Sequence, residues 1–245
     1  MSGVAALPSV VRLGQVDSTQ AVAFALAAEG AADGTVVVAD SQAAGRGRRG
    51  RAWVDEPGAS LLTSIILRPR LEPSRLPGLS LAAGVAVAEA LTRAAGLTPR
   101  LKWPNDILVG GRKLGGILLE SRLTAGGAAG PATVVLGIGL NLTQHLFAAE
   151  IAERATSVWL ATGHRVDRDA LLSALIDAVG EWRRRLEHRG FAPVRERWRA
   201  LSDTLGRTVT VDGVSGVAVD IDVDGALVVN DAEGRRHRVV AGEVA

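Results

Sequence analysis

The sequence predicts an α+β protein in two parts, a larger one mixing strands with helices and a small all-β one at the C-terminus. Three observations predict it. Apolar and β-branched runs over residues 35–39, 60–67 and 133–142 have the length and composition of buried strands. Residues 76–95 and the stretch after Asp167 carry long helical patterns. From Leu205 onward the apolar period falls to two, and turn dipeptides recur at Asp212-Gly213, Asp224-Gly225 and Glu233-Gly234. The expected boundaries are 1–202 for the larger domain and 203–245 for the smaller.

Size and composition narrow the function classes. A chain of 245 residues can bury a full core. Apolar residues make up 47% and aromatics only 3%, so that core is built from Ala, Val, Leu and Ile. No apolar run approaches the ~20 residues of a membrane span, and residues 1–8 lack the charged start of a secretory signal. There is no cysteine, which removes disulfides and thiolate chemistry. The expected compartment is the cytoplasm. A net charge of +2 is small for this length, so bulk charge argues against a dedicated nucleic-acid binder.

In chain order, a strand over 10–16 leads into Asp17-Ser18-Thr19-Gln20. Ser18 or Thr19 is placed to cap a helix over 21–29, which Gly30 ends. The same hydroxyls at a helix N-terminus also suit a polar substrate group. The strand over 35–39 then delivers Gln42 and the run Gly45-Arg46-Gly47-Arg48-Arg49-Gly50-Arg51. Interspersed glycines let a backbone bend around an anion, and guanidinium forks match phosphate and carboxylate oxygens. Four like charges with no apolar anchor predict a loop that is mobile when empty. The run spells G-x-G-x-x-G, but a dinucleotide fingerprint needs a helix directly after it. Trp53-Val54-Asp55-Glu56-Pro57-Gly58 is instead a turn before the strand over 60–67, so the nicotinamide reading is rejected.

After the helix over 76–95, stopped by Gly96, comes the most informative stretch, residues 102–117. It holds Lys102 and Lys113, the only lysines of a chain that otherwise uses arginine. Arginine is a planar fork and lysine a slim point charge, so these positions suggest places where a guanidinium does not fit. Trp103 is extended because Pro104 follows it. Asn105 and Asp106 offer an amide and a carboxylate at a turn. A strand over 107–109, a Gly110-Gly111 hairpin turn and a return strand over 114–120 complete it. Gly115-Gly116 marks either a bulge or a close backbone approach. A flexible Gly126–Gly130 loop precedes the strand over 133–142, which brings Asn141, either a strand terminator or a contact for a ribose or base. Residues 146–155 read as a helix, Thr156-Ser157 begins another segment, Asp167 caps a long amphipathic helix, and Pro193 opens a last one.

Several familiar chemistries are absent. No G-x-S-x-G elbow occurs, and His145, His164, His188 and His237 lack metal-ligand spacing. No P-loop lysine follows a glycine run. A phosphate cradle here has to use Arg46, Arg48, Arg49 and Lys113.

These pieces together resemble a biotin–protein ligase. The arginine loop, Lys102-Trp103-Pro104-Asn105-Asp106, Arg112-Lys113-Leu114-Gly115-Gly116-Ile117 and Gly137-Ile138-Gly139-Leu140-Asn141 match the motifs of that family in order, and Asp17-Ser18-Thr19 matches its N-terminal substrate loop. The resemblance covers roughly residues 10–243. It implies a mixed or antiparallel sheet with helices packed on it, followed by a small SH3-like barrel. It also implies a reaction: biotin's carboxylate attacks the α-phosphate of ATP, giving biotinyl-5′-AMP and pyrophosphate, and a lysine of a biotin carboxyl carrier domain then takes the biotinyl group. By resemblance Ser18, Thr19 and Gln42 hold the biotin ring, with Arg46, Gly47, Arg48, Gly115 and Gly116 around it. Lys113 serves both carboxylate and α-phosphate. Arg48, Arg49 and Arg51 engage phosphates together with Mg²⁺, for which Asp106 is the candidate ligand. Asn105, Asp106, Asn141 and Trp53 belong to the nucleotide side, though Trp53 also suits a loop anchor. Lys113, Arg48 and Arg49 are the expected catalytic residues.

Many relatives carry an N-terminal winged helix that represses biotin genes. With the catalytic fold starting near Val10, neither that domain nor operator binding is expected. The chain ends at Glu243-Val244-Ala245, slightly short of many relatives, which leaves C-terminal contacts to nucleotide open. Lipoate–protein ligases share the fold and the lysine but not the arginine loop. A nucleic-acid module explains neither Lys113 nor Asn141. The expected assembly is a monomer or a homodimer, with no nucleic-acid or membrane partner.

Overall fold

The structure, a computed structural model, describes residues 9–122 and 133–244. The expected Gly126–Gly130 loop lies outside the described residues. The chain divides into two compact units, Met1–Pro69 with Leu118–Gly139, and Arg70–Ile117 with Leu140–Ala245. Two strands, β6 (Arg112–Arg122) and β7 (Thr133–Asn141), run from one unit into the other.

In the first unit, β1 (Val10–Val16) pairs parallel with β2 (Val36–Gln42), and β2 pairs antiparallel with β3 (Ser60–Leu67). The strand order is β1-β2-β3-β7-β6, so the sheet is mixed. Between β1 and β2 the chain forms α1 (Thr19–Ala28), which lays Ala23 and Phe24 on Val37, Ile66 and Val135. Every residue of β3 is buried, as a central strand requires. Two of its polar side chains are satisfied internally: Thr63 donates to the Val37 carbonyl at 3.0 Å, and Ser64 donates to the Thr19 hydroxyl at 2.8 Å. Full burial of Leu61, Leu62 and Ile66 contributes about 1.5–3 kcal/mol each.

The second unit is built on α2 (Leu76–Ala95), which ends where Gly96 turns left-handed at φ 63°. It packs against α4 (Arg168–Arg189), α5 (Ala192–Leu201), β4 (Arg100–Lys102) and β5 (Asp106–Val109). With its preceding turn, Pro73–Ala95, this helix is long and apolar enough to cross a membrane by length and composition alone. Its buried face here is the interior of the unit, from Gly78 to Leu91. Asp167 caps α4 by accepting from the amides of Asp169 and Ala170, and Ser157 caps α3 (Val158–Thr162) through the Leu160 amide.

The strand order in this unit is β6-β5-β4, all antiparallel. Gly110 and Gly111 both take positive φ, 57° and 75°, which a two-residue hairpin between β5 and β6 demands. The C-terminal strands β8 (Thr208–Val211), β9 (Val214–Ile221), β10 (Leu227–Asn230) and β11 (Arg236–Val239) form a separate antiparallel sheet in the order β11-β10-β9-β8. Trp103 ties this sheet to the hairpin strands: its backbone amide donates to Thr204 Oγ1 at 2.9 Å and its indole to the Gly225 carbonyl at 3.1 Å.

Two local expectations are corrected. The segment 146–155 is a succession of turns, closed by Ile151 donating to the Ala148 carbonyl and Arg154 to that of Ile151. Its apolar side chains do not make a buried face, since Leu146 is 77% exposed and Ile151 43%. The segment instead ends as extended backbone bridged to Lys113, and that pairing outweighs its helical propensity. The other concerns Ser18, which occupies the N-cap position of α1 without making a side-chain cap. The helix begins at Thr19, whose hydroxyl is engaged in the interior.

Candidate active site

In the first unit, β1 ends at Val16, paired with Gln42 at the end of β2, and leads into Asp17-Ser18-Thr19. Thr19 is buried, and both its backbone amide and its hydroxyl donate to Gln42 Oε1, at 2.8 and 3.0 Å. Ser64 donates to the same Thr19 hydroxyl. The carbonyl end of Gln42 is thereby fixed by Thr19, which orients its amide end. A Cβ on Gly45 would stand 3.0 Å from that amide nitrogen and 2.6 Å from the Trp53 carbonyl, so only glycine allows the arginine segment to pass here. Ser18, 4% exposed, is walled into the same corner.

The arginine segment is a closed hairpin rather than an unanchored loop. Trp53 donates to the Gly45 carbonyl at 2.9 Å, Arg46 bridges Ala52, and Gly47 donates to the Arg51 carbonyl at 2.7 Å. Arg48, Arg49 and Gly50 form a 3-10 turn at its tip, with Arg49 in the left-handed region at φ 57° and Gly50 at 75°. A left-handed non-glycine residue costs about 1–3 kcal/mol and persists where the surroundings fix it. Here it sits at the apex of a run of cations.

Two residues that the sequence did not single out hold the base of this hairpin. Glu120 Oε2, on β6, lies 2.9 Å from an Arg46 guanidinium nitrogen and accepts from Gln20 Nε2 at 3.0 Å. The amide of Gln20 also donates to the Leu118 carbonyl at 3.4 Å, and its side chain lies against Gly137, where a Cβ would meet it at 3.1 Å. Nothing in local sequence pairs position 120 with position 46. Trp53 lies against Gly139, where a Cβ would come within 2.9 Å of its ring. The indole nitrogen is enclosed with no partner, and the carboxylate of Asp55 is enclosed as well. Burial pushes the Asp55 pKa up, offset in part by the neighbouring Gln42 backbone amide.

In the second unit the β5–β6 hairpin carries Asp106 and Lys113, whose Nζ lies 2.6 Å from Asp106 Oδ1. Asp106 pairs in register with Gly116, and Ile107 with Gly115. The register slips between Ile107 and Leu108, so the glycine pair adjoins an irregularity in the ladder. Lys113 is also held from outside the hairpin. Its amide donates to the Arg154 carbonyl at 2.7 Å, and its carbonyl accepts from the Thr156 amide at 2.8 Å. Asn105 donates through its side chain to the Ile117 carbonyl at 2.8 Å while accepting the Ile117 amide at its own carbonyl. Asn141, 6% exposed, donates to the Thr156 carbonyl at 3.0 Å.

Among the described residues no group of three or more His, Cys, Asp or Glu side chains could cage a metal.

Comparison with known proteins gives these features a family. The profile of the biotin/lipoate A/B protein ligase family matches residues 13–141, and that of the biotin protein ligase C-terminal domain matches 204–245. The chain is 40% identical to the biotin–[acetyl-CoA-carboxylase] ligase of Paracoccus denitrificans over 91% of this chain and 95% of that one. It is 36% identical to the bifunctional ligase/repressor BirA of Bacillus subtilis, over 89% and 68%. Among solved structures, the biotin protein ligase of Aquifex aeolicus in complex with biotin and ATP superposes with a TM-score of 0.84 at 29% identity, covering 98% of both chains.

A mixed sheet with helices packed on it, followed by a small antiparallel β domain, is thus the architecture of a ligase. The chain belongs to the biotin/lipoate A/B protein ligase family.

Proposed function

We propose that this enzyme is an ATP-dependent biotin–protein ligase that acts on a biotin carboxyl carrier domain. The observation that carries the reading is Lys113, one of two lysines in an arginine-rich chain, fixed by two backbone hydrogen bonds and paired with Asp106. The reaction needs such a group. When the biotin carboxylate oxygen attacks the α-phosphorus of MgATP, a P–O bond forms, the α–β bridging bond breaks and pyrophosphate leaves. Two anions meet in that step, so its barrier is largely electrostatic and fixed cations lower it. Lys113 supplies a compact charge to both reacting groups. Arg48, Arg49 and Arg51 take the phosphate oxygens, the left-handed Arg49 holding the hairpin tip in shape.

Biotin's ring falls to Ser18, Thr19 and Gln42, a corner whose polar atoms are already oriented by Ser64. Gly47 gives it bare backbone, and Arg46 serves it from the hairpin base. Trp53, Asn105, Asp106 and Asn141 form the nucleotide side. The hydrogen bonds of both asparagines to backbone carbonyls favour a supporting part for them. Mg²⁺ enters with the triphosphate, with Asp106 as its one carboxylate here. In the second step a neutral carrier lysine attacks the acyl carbon, AMP leaves with the bonding electrons, and the ammonium proton passes to solvent. We assign these steps to residues 1–202, with 203–245 as the SH3-like domain, and place them in the cytoplasm, where MgATP and the carrier are made.

Incubation with biotin, MgATP and a purified carrier domain, followed by a streptavidin blot, tests the reading. It predicts a labelled carrier whose signal requires both small substrates. An unlabelled carrier, with the enzyme folded, would overturn it.

A further inference from the structure

Lys113 stands beside an irregularity in its own hairpin. It pairs with Leu108, and at the next step, between Leu108 and Ile107, the β5–β6 register slips past Leu114. Both backbone polar groups of Lys113 go to the segment 154–156, its amide to the Arg154 carbonyl and its carbonyl to the Thr156 amide. This segment is the end of a run of turns with no helix or strand of its own. It is held in place by Asn141, the last residue of β7, whose amide donates to the Thr156 carbonyl at 3.0 Å. Asn141 and Thr156 are both buried, at 6% and 1% exposure, so water offers no substitute for the bond.

We propose that Asn141 is a positioning residue for Lys113, acting through the backbone of 154–156. This rests on the ligase reading, in which Lys113 is catalytic, and it gives Asn141 a mechanical role. Its amide nitrogen is spent on the strap that orients the lysine. A reacting charge displaced by about 1 Å loses on the order of 100-fold in rate while leaving ground-state binding nearly intact.

The test is a kinetic split in the full-length enzyme. Asn141→Asp keeps the shape but turns an acceptor toward the Thr156 carbonyl, and Asn141→Ser keeps a shorter donor. Single-turnover formation of biotinyl-5′-AMP at saturating substrate should fall about 10- to 100-fold in Asn141→Asp and less in Asn141→Ser. The KM for ATP and the Kd for biotin should stay within about twofold. A raised KM for ATP at an unchanged saturating rate would overturn the proposal in favour of a nucleotide contact. Loss of biotin binding together with a lowered Tm in both variants would overturn it in favour of a general packing role. Wild-type enzyme that forms no adenylate would refute the ligase reading itself, an outcome distinct from the other two.

Discussion

Lys113 Nζ lies 2.6 Å from Asp106 Oδ1 across the β5–β6 hairpin, with the lysine side chain 38% exposed and the aspartate 23%. A pair this open contributes about 0–1 kcal/mol to folding, so its importance lies in where it aims the ammonium group. Two substitutions separate charge from shape. Lys113→Arg keeps the charge but adds a wide fork, and adenylate formation should fall about 100-fold with Tm within a few degrees of wild type. Asp106→Asn should lower the same rate about 10-fold and likewise leave Tm nearly unchanged. Stopped-flow pyrophosphate release and calorimetry measure both.

Arg46 and Glu120 should be energetically coupled. The pair is partly exposed, at 45% and 33%, so a double-mutant cycle with Arg46→Ala and Glu120→Ala on biotin affinity should return about 0.2–1 kcal/mol. That coupling should shrink as ionic strength rises, because salt screens it. Titration calorimetry at low and high salt reads both numbers.

Gly139→Ala should disturb the arginine hairpin at a distance in sequence. The added Cβ would stand 2.9 Å from two atoms of the Trp53 ring, which must then shift. Overpacking of this kind costs about 1–3 kcal/mol. A changed tryptophan emission and a weaker affinity for ATP are the expected readouts.

Asp55 sets a pH dependence whose sign follows from its surroundings. Burial raises its pKa above the ordinary 3.8, so the folded chain holds that proton more tightly than the unfolded chain does. The stability it withholds is therefore lost as pH rises from 3.8 through the folded value, and it stays lost at neutral pH. Asp55→Asn, which mimics the protonated form, should be more stable than wild type at pH 7, and the difference should vanish below about pH 4. Urea unfolding at the two pH values measures it.

How much of this was legible in the sequence differs between elements. The β5–β6 hairpin could be read because Gly110-Gly111 supplies the two positive φ angles, and the C-terminal sheet because its period and turn pairs are local signals. The Asp167 cap and the Gly96 stop follow from side-chain chemistry within a few residues. Long-range pairings were not legible. Residues 146–155 have a helical composition, yet they form turns because Ala155 pairs with Lys113, some forty positions away in the chain. Ser18 looked like a capping hydroxyl, whereas its neighbour Thr19 is claimed by Gln42 and Ser64. The arginine run looked unanchored because its cross-hairpin hydrogen bonds join backbone atoms and leave no mark in side-chain pattern. Glu120 went unnoticed for the opposite reason: it is an ordinary strand residue until the fold brings it to Arg46 and Gln20.

The most direct test of the central claim is biotin-dependent pyrophosphate release from MgATP without any carrier, in wild-type enzyme and in Lys113→Ala. The account predicts a burst stoichiometric with wild-type enzyme, and in Lys113→Ala a loss of the burst on the order of 100-fold or more with the fold retained. No burst from wild type, or an undiminished burst from Lys113→Ala, would contradict it.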